Sequence, residues 1–235
     1  MQVYADSWNT ALELLTSFND DLLEVLWLSI RVSFSSLLLS CLIGLPVGVL
    51  LATHQFFSRN IFVSIINAMM GLPPVVVGLI VYLHLSRSGP LGWMGILYTP
   101  QAMIIAQCIL ITPIVIGLSC QIVEDLHNDY RDLFESLVVP RWVALWAYIV
   151  DARYSLLTVV LAGFGRAISE VGAVIIVGGN IDHLTRVMTT AIALETSKGE
   201  LSLALALGLI LLILSLTVNF VVQAVKASAK RQGYV

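Results

Sequence analysis

A chain of 235 residues, 58% of them hydrophobic and only 11% charged, with a mean hydropathy of +0.93, lies far outside the composition of soluble globular domains. Lipid is the solvent for most of it. A formal charge of −3, with Lys226, Lys230 and Arg231 as the one basic cluster, leaves no electrostatic footprint for nucleic acid and excludes that class.

In chain order, residues 1–21 carry Asp6, Glu13, Asp20 and Asp21 and lack the basic-then-apolar pattern of a cleaved signal peptide, so the first apolar helix is expected to stay as an anchor. A hydrocarbon core of about 30 Å needs roughly 20 apolar residues in a helix that satisfies its own backbone. The segments that qualify are about Leu26–Ala52, Ile61–Leu85, Ala102–Ile122, Leu156–Val177 and Leu201–Val225. They predict an all-α integral membrane protein of about five transmembrane helices, read as one domain over residues 1–235.

Gly44 and Gly48, in the first segment, have the small-xxx-small spacing that favours close helix packing. Pro73 and Pro74 remove two donors from the second, which predicts a break or kink there. That break reads either as a hinge on a translocation path or as a static kink. Residues 86–100 hold Gly89, Pro90, Gly92, Gly95 and Pro100 with Trp93 and Tyr98, a turn-rich link at an aromatic interface.

The one long polar stretch, Glu124–Arg153, alternates charges with Leu126, Leu133, Phe134, Leu137, Val138, Trp142, Leu145 and Trp146. Its spacing predicts short amphipathic helices, suited either to the membrane surface or to a groove on a soluble partner. In the fourth segment, Arg166 and Glu170 are four residues apart on one helix face. An unpaired charge at mid-bilayer costs about 2.5–3.5 kcal/mol, so this face must meet protein or water. Arg166 either draws an anion along a pathway or forms a neutralised packing pair with Glu170.

Gly178, Gly179 and Asn180 end that segment, as a helix C-cap or as donors to an oxyanion. Apolar Val187, Met188, Ala191 and Ile192 predict a short helix within 185–196 that cannot span, and its Thr189 and Thr190 either donate to a passing anion or serve local structure. With the C-terminus cytoplasmic, Arg59, Arg131, Arg141, Arg153, Lys226, Lys230 and Arg231 fall inside and only Arg87, Arg186 and Lys198 outside, which places the N-terminus outside.

Cys41, Cys108 and Cys120 lie in or beside apolar segments and form no disulfide framework. His54, His84, His127 and His183 have no ligand spacing, so no metal site is expected. No Gly-x-x-x-x-Gly-Lys-Ser/Thr loop is present, and the chain has no visible means of holding ATP.

Three stretches resemble the permeases of binding-protein-dependent ATP-binding-cassette (ABC) importers. Asp132-Leu133-Phe134-Glu135-Ser136-Leu137-Val138 matches the cytoplasmic Glu-Ala-Ala-x-x-Leu-Gly motif in its acid and its leucine, while Leu133 and Phe134 replace the alanines and Val138 the glycine. Gly71-Leu72-Pro73-Pro74-Val75-Val76-Val77-Gly78 is similar to the second-span motif of molybdate, sulfate and tungstate permeases. Leu161–Ala173, continuing through Val177–Ile181, is similar to the fourth span and outer mouth of tungstate permeases.

The resemblance implies a type I importer permease fold in a prokaryotic inner membrane and an oxyanion cargo, with tungstate ahead of molybdate or sulfate. It implies a homodimer, cytoplasmic ATPase subunits that hold the ATP and magnesium, and an extracytoplasmic oxyanion-binding protein. The chain itself would bind no cofactor and would not be an enzyme. The ATPase contact is expected at Asp132, Leu133, Phe134, Glu135, Ser136, Leu137, Val138 and Arg141, within a coupling loop over 124–153. The pathway is expected at Pro73, Pro74, Arg166, Ser169, Glu170, Gly178, Gly179, Asn180, Thr189 and Thr190. The rivals are an autonomous channel or secondary transporter, which would need no ATP, and a membrane anchor with no conduction role.

Overall fold

The computed structural model describes residues 20–231, and the regular elements within them are all helices. The acidic stretch containing Asp6 and Glu13, and the side chains of Asp20, Asp21, Arg141, Lys226, Lys230 and Arg231, lie outside the described residues. The elements are α1 (Asp20–Thr53), α2 (Arg59–Met70), α3 (Pro74–Leu85), a 3₁₀ turn (Gly92–Met94), α4 (Pro100–Ser136), α5 (Arg141–Ser169), α6 (Gly172–Gly178), α7 (Met188–Lys198) and α8 (Leu201–Arg231).

Among these residues α1, α4, α5 and α8 are long and apolar enough to cross a bilayer, and α2 with α3 makes a fifth crossing if counted together. The outward faces of α1 and α8 remain apolar, with Leu38, Leu42, Ile43, Leu212, Ile213 and Phe220 all exposed. Lipid tails are as apolar as these side chains, so such faces cost nothing in a membrane.

Three predicted boundaries move. The second segment is not one straight span: α2 and α3 meet at a 99° bend. Proline supplies the reason, because Pro73 at φ −65°, ψ 122° is locked in extended backbone as the N-cap of α3. Pro74 follows at the first helical position, where its missing N–H is no loss.

The predicted short helices of 124–153 are instead the ends of α4 and α5, joined by residues 137–140. An Arg131–Glu135 pair at 2.9 Å supports the exposed end of α4. His127, Tyr130 and Phe134 pack around Tyr148 of α5, with the Tyr130 and Tyr148 rings stacked at 6.5 Å. The fourth segment ends at Ser169 rather than Val177, since the helix breaks at Glu170–Val171 before resuming as α6.

The chain divides into two compact units. One comprises the chain up to Ser36 with Pro73–Gln107 and Arg166–Thr217, and the other comprises Leu37–Leu72, Cys108–Gly165 and the chain from Val218. In the first, Leu22, Met188, Ala191 and Leu207 form a core that α7 shares with the ends of α1 and α8. A buried polar bridge runs beside it: the Ser36 hydroxyl donates to Gln107 Oε1 at 2.7 Å, and Gln107 Nε2 donates to the Ala167 carbonyl at 3.0 Å.

In the second unit, Val49, Ala52, Cys120, Val123 and Tyr148 form the core. There Gly44 and Gly48 bring α1 hard against α4, as their spacing predicts. A Cβ at Gly44 would lie 2.8 Å from Val115 Cγ1, and one at Gly48 only 2.0 Å from Ser119 Oγ.

Candidate functional site

All ten residues expected on the pathway fall within the first unit, and two interrupted helices bring several of them together. A Cβ on Gly78 of α3 would stand 2.7 Å from the Ala173 Cα of α6, so only glycine permits this backbone approach. At the neighbouring contact, a Cβ on Gly172 would meet Val75 Cγ2 at 2.8 Å. Val75 directly follows Pro74, and Gly172 directly follows the Glu170–Val171 break. The proline break and the Glu170 break therefore lie side by side.

The second break is organised by charge. Arg166 Nη2 lies 3.3 Å from Glu170 Oε2, with the arginine side chain 35% exposed and the glutamate side chain 5% exposed. Glu170 Oε1 also accepts the Ala173 N–H at 3.2 Å, satisfying one of the donors that the start of α6 leaves free. The cation sits in the last turn of α5, and the Glu170 carboxylate, from two residues before α6, reaches a first-turn N–H of that helix, so each charge complements a helix end.

Thr189 completes the break. Its hydroxyl donates to the Glu170 carbonyl at 2.9 Å, a group that has lost its helical partner. Thr190 bonds Val187, accepting its N–H at 3.1 Å and donating to its carbonyl at 3.0 Å. Both threonine hydroxyls thus serve the backbone. Ser169 is exposed beside the break and donates to the Arg166 carbonyl at 3.3 Å.

Gly179 caps α6 in the left-handed region at φ +72°, and Asn180 continues there at φ +50°. The Asn180 amide oxygen is buried with no hydrogen-bond partner among the described residues. Two residues absent from the sequence-based set hold this segment. The fully buried Thr185 donates to the Gly178 carbonyl at 2.6 Å and accepts the Ile181 N–H at 2.9 Å. Tyr98 donates its backbone N–H to the Val177 carbonyl at 3.0 Å. A hydrogen bond with Tyr82 raises the Tyr98 phenol above its ordinary pKa, so it stays neutral.

The predicted coupling segment has a different character. Leu133, Leu137 and Val138 are exposed, Val138 at 85%, and Trp142 and Trp146 continue the apolar surface. Phe134 is the exception, turned inward against Tyr148. Asp132 is exposed, Glu135 is held by Arg131, and the Ser136 hydroxyl returns to the Leu133 carbonyl at 2.8 Å.

A family model described as the binding-protein-dependent transport system inner membrane component matches residues 44–231. The chain belongs to this family. It is a multi-pass membrane permease of the ABC importer type. Among curated proteins, the tungstate uptake system permease protein TupB of Peptoclostridium acidaminophilum is 37% identical over 226 residues, covering 96% of this chain and 99% of that protein. A probable anion ABC transporter permease protein of Haloferax volcanii is 43% identical over 186 residues, covering 77% of this chain and 80% of its own length. The TupB of Campylobacter jejuni is 36% identical over 221 residues, covering 94% and 92%.

Within this permease, the proline motif and the Arg166–Glu170 stretch were legible because they interrupt apolar runs. Gln107 and Thr185 were not, because a lone polar residue in an apolar run carries no pattern that names its partner.

Proposed function

We propose that this permease conducts tungstate into the cytoplasm as a homodimer driven by cytoplasmic ATPase subunits and loaded by an extracytoplasmic binding protein. The supporting observation is the likeness to two tungstate uptake permeases over nearly the whole chain, 96% and 94% of it. ATP and magnesium belong to the ATPase subunits. The N-terminus faces outward and the C-terminus inward, in keeping with the bias of arginine and lysine along the sequence.

Within the pathway, Arg166 is the residue that meets the anion. It is the partly exposed cation at the junction of the two breaks, and its partner Glu170 is committed to the start of α6. Glu170 and Thr189 position the break, and Thr190 holds the start of α7. Pro73 and Pro74 keep α3 separate from α2, and Ser169, Gly178, Gly179 and Asn180 shape the neighbouring backbone. The apolar surface of Leu133, Leu137 and Val138, rimmed by Asp132 and Glu135, docks the ATPase, with Arg141 at the start of α5 beside it.

The test is affinity isolation of the tagged chain from its native membrane. The co-purified subunits are then assayed for ATP hydrolysis with the binding protein loaded with tungstate, molybdate or sulfate. Stimulation by the tungstate-loaded form is expected. Stimulation by sulfate alone would reassign the cargo, and purification without an ATPase would overturn the importer.

A further inference from the structure

Resting on the assignment of residues 132–138 as the ATPase contact, we infer that Arg59 is the positioning residue that carries movement of α4 into α2 and so to the proline break. Arg59 opens α2 and is the buried residue of that helix. Its Nε donates to the Leu51 carbonyl at 2.6 Å, within the last turn of α1. That carbonyl's helical partner would be the N–H of residue 55, beyond the end of α1 at Thr53, so it is one of the acceptors a helix end leaves open. The last turn of α1 carries no basic residue of its own. Arg59 supplies that charge from the next helix, where the dipole favours it.

The other end of the guanidinium reaches α4. Nη2 lies 2.8 Å from Glu124 Oε2, an ionic contact whose alignment falls short of a hydrogen bond. The Arg59 side chain is 9% exposed and that of Glu124 37%. One buried cation thereby ties α1, α2 and α4 together within the second unit. Beside it lies Cys120 of the second unit's apolar core, a setting in which hydrophobic side chains alone would pack adequately. The guanidinium adds a fixed, directional link between helices.

The link has two outputs along the chain. Towards the ATPase, Glu124 precedes Asp132 on the same unbroken helix, stiffened by the Arg131–Glu135 pair and by the rings of His127, Tyr130 and Phe134 against Tyr148. Away from it, α2 runs to Met70, and Gly71 and Leu72 hand the chain to Pro73. The chain passes between the units at Ser36/Leu37, Leu72/Pro73, Gln107/Cys108, Gly165/Arg166 and Thr217/Val218, and of these only Leu72/Pro73 lies outside a helix. Displacing the start of α2 therefore acts on the one crossing that no helix spans, which leads directly into the α3 contact with α6.

The experiment uses the assembled complex in proteoliposomes with loaded binding protein, comparing Arg59→Met, Arg59→Lys and Glu124→Gln for subunit content, ATP hydrolysis and anion taken up per ATP. In Arg59→Met and Glu124→Gln the complex should assemble and hydrolyse ATP while uptake per ATP falls about tenfold, within the usual span of coupling between sites. Arg59→Lys should lie between these and wild type. An intact Arg59→Met complex with uptake per ATP within about twofold of wild type would overturn the inference. Loss of the ATPase from that complex would also overturn it, by showing a purely structural role. Should Arg59→Met fail to accumulate, Glu124→Gln decides by the same criteria. Charge reversal at Asp132 and Glu135 separates the two claims: an ATPase still bound and coupled there removes the docking reading and this inference with it. A lost ATPase there, beside normal uptake per ATP in Arg59→Met, removes the inference alone.

Discussion

Glu170 holds Arg166 through one carboxylate oxygen, at 3.3 Å, and the Ala173 N–H of α6 through the other, at 3.2 Å. A single side chain thus neutralises the cation of α5 and starts the next helix. The two duties can be separated. Glu170→Gln keeps an acceptor for Ala173 and loses the charge, whereas Glu170→Ala loses both. Glu170→Ala should destabilise the protein by about 1–3 kcal/mol more than Glu170→Gln, the cost of a buried donor left without a partner. Thermal unfolding of the detergent-solubilised permease measures the difference, and equal losses would show that the Ala173 bond carries no weight.

Arg166→Ala should leave assembly intact and cut anion uptake at least tenfold, since its side chain is partly exposed while Glu170 keeps the Ala173 bond; a factor of 10 corresponds to about 1.4 kcal/mol of lost interaction. Uptake by proteoliposomes, with subunit content measured in parallel, checks this. Normal uptake would make the pair one of packing alone.

Gly78→Ala places a methyl group 2.7 Å from the Ala173 Cα, a contact that must push α3 and α6 apart. Overpacking of this kind costs about 1–3 kcal/mol. Gly208, inside α8 with no atom within 4 Å of an added Cβ, is the control: Gly208→Ala should be neutral or stabilising by up to about 1 kcal/mol. Thermal midpoints of the two variants against wild type read both effects.

Gln107→Leu removes both halves of the bridge between Ser36 and the Ala167 carbonyl. The Ser36 hydroxyl keeps the Ser33 carbonyl and the Ala167 carbonyl keeps the Glu170 N–H, so the loss is that of two hydrogen bonds, about 0.5–1.5 kcal/mol each. Differential scanning fluorimetry of the purified protein should show a lower midpoint, with ATPase association unchanged because the bridge lies in the first unit and residues 132–138 in the second.

Much of the architecture was legible because lipid imposes a simple length rule, and the apolar runs located α1 and α8 and the start of α4 to within a few residues. The misplacements came where local chemistry competes with hydropathy. Glu170 offers its carboxylate to the backbone and ends α5 inside an apolar run. The 124–153 stretch reads as short helices because its charges interrupt the hydropathy, yet the Arg131–Glu135 pair and the Tyr148 ring cluster support the long helices α4 and α5 within it. Among site residues, Arg166 and Glu170 announced themselves as charges in a span. The link of Arg59 to Glu124 did not, since 65 residues of separation leave no periodic trace.

The most direct test of the importer account is tungstate uptake by proteoliposomes holding this permease, its co-purified ATPase subunits and loaded binding protein, measured with and without ATP on the ATPase side. The account predicts uptake that requires ATP and stops when charge reversal at Asp132 and Glu135 releases the ATPase. Tungstate flux through the permease alone, without ATP, would contradict it and identify an autonomous channel or secondary transporter.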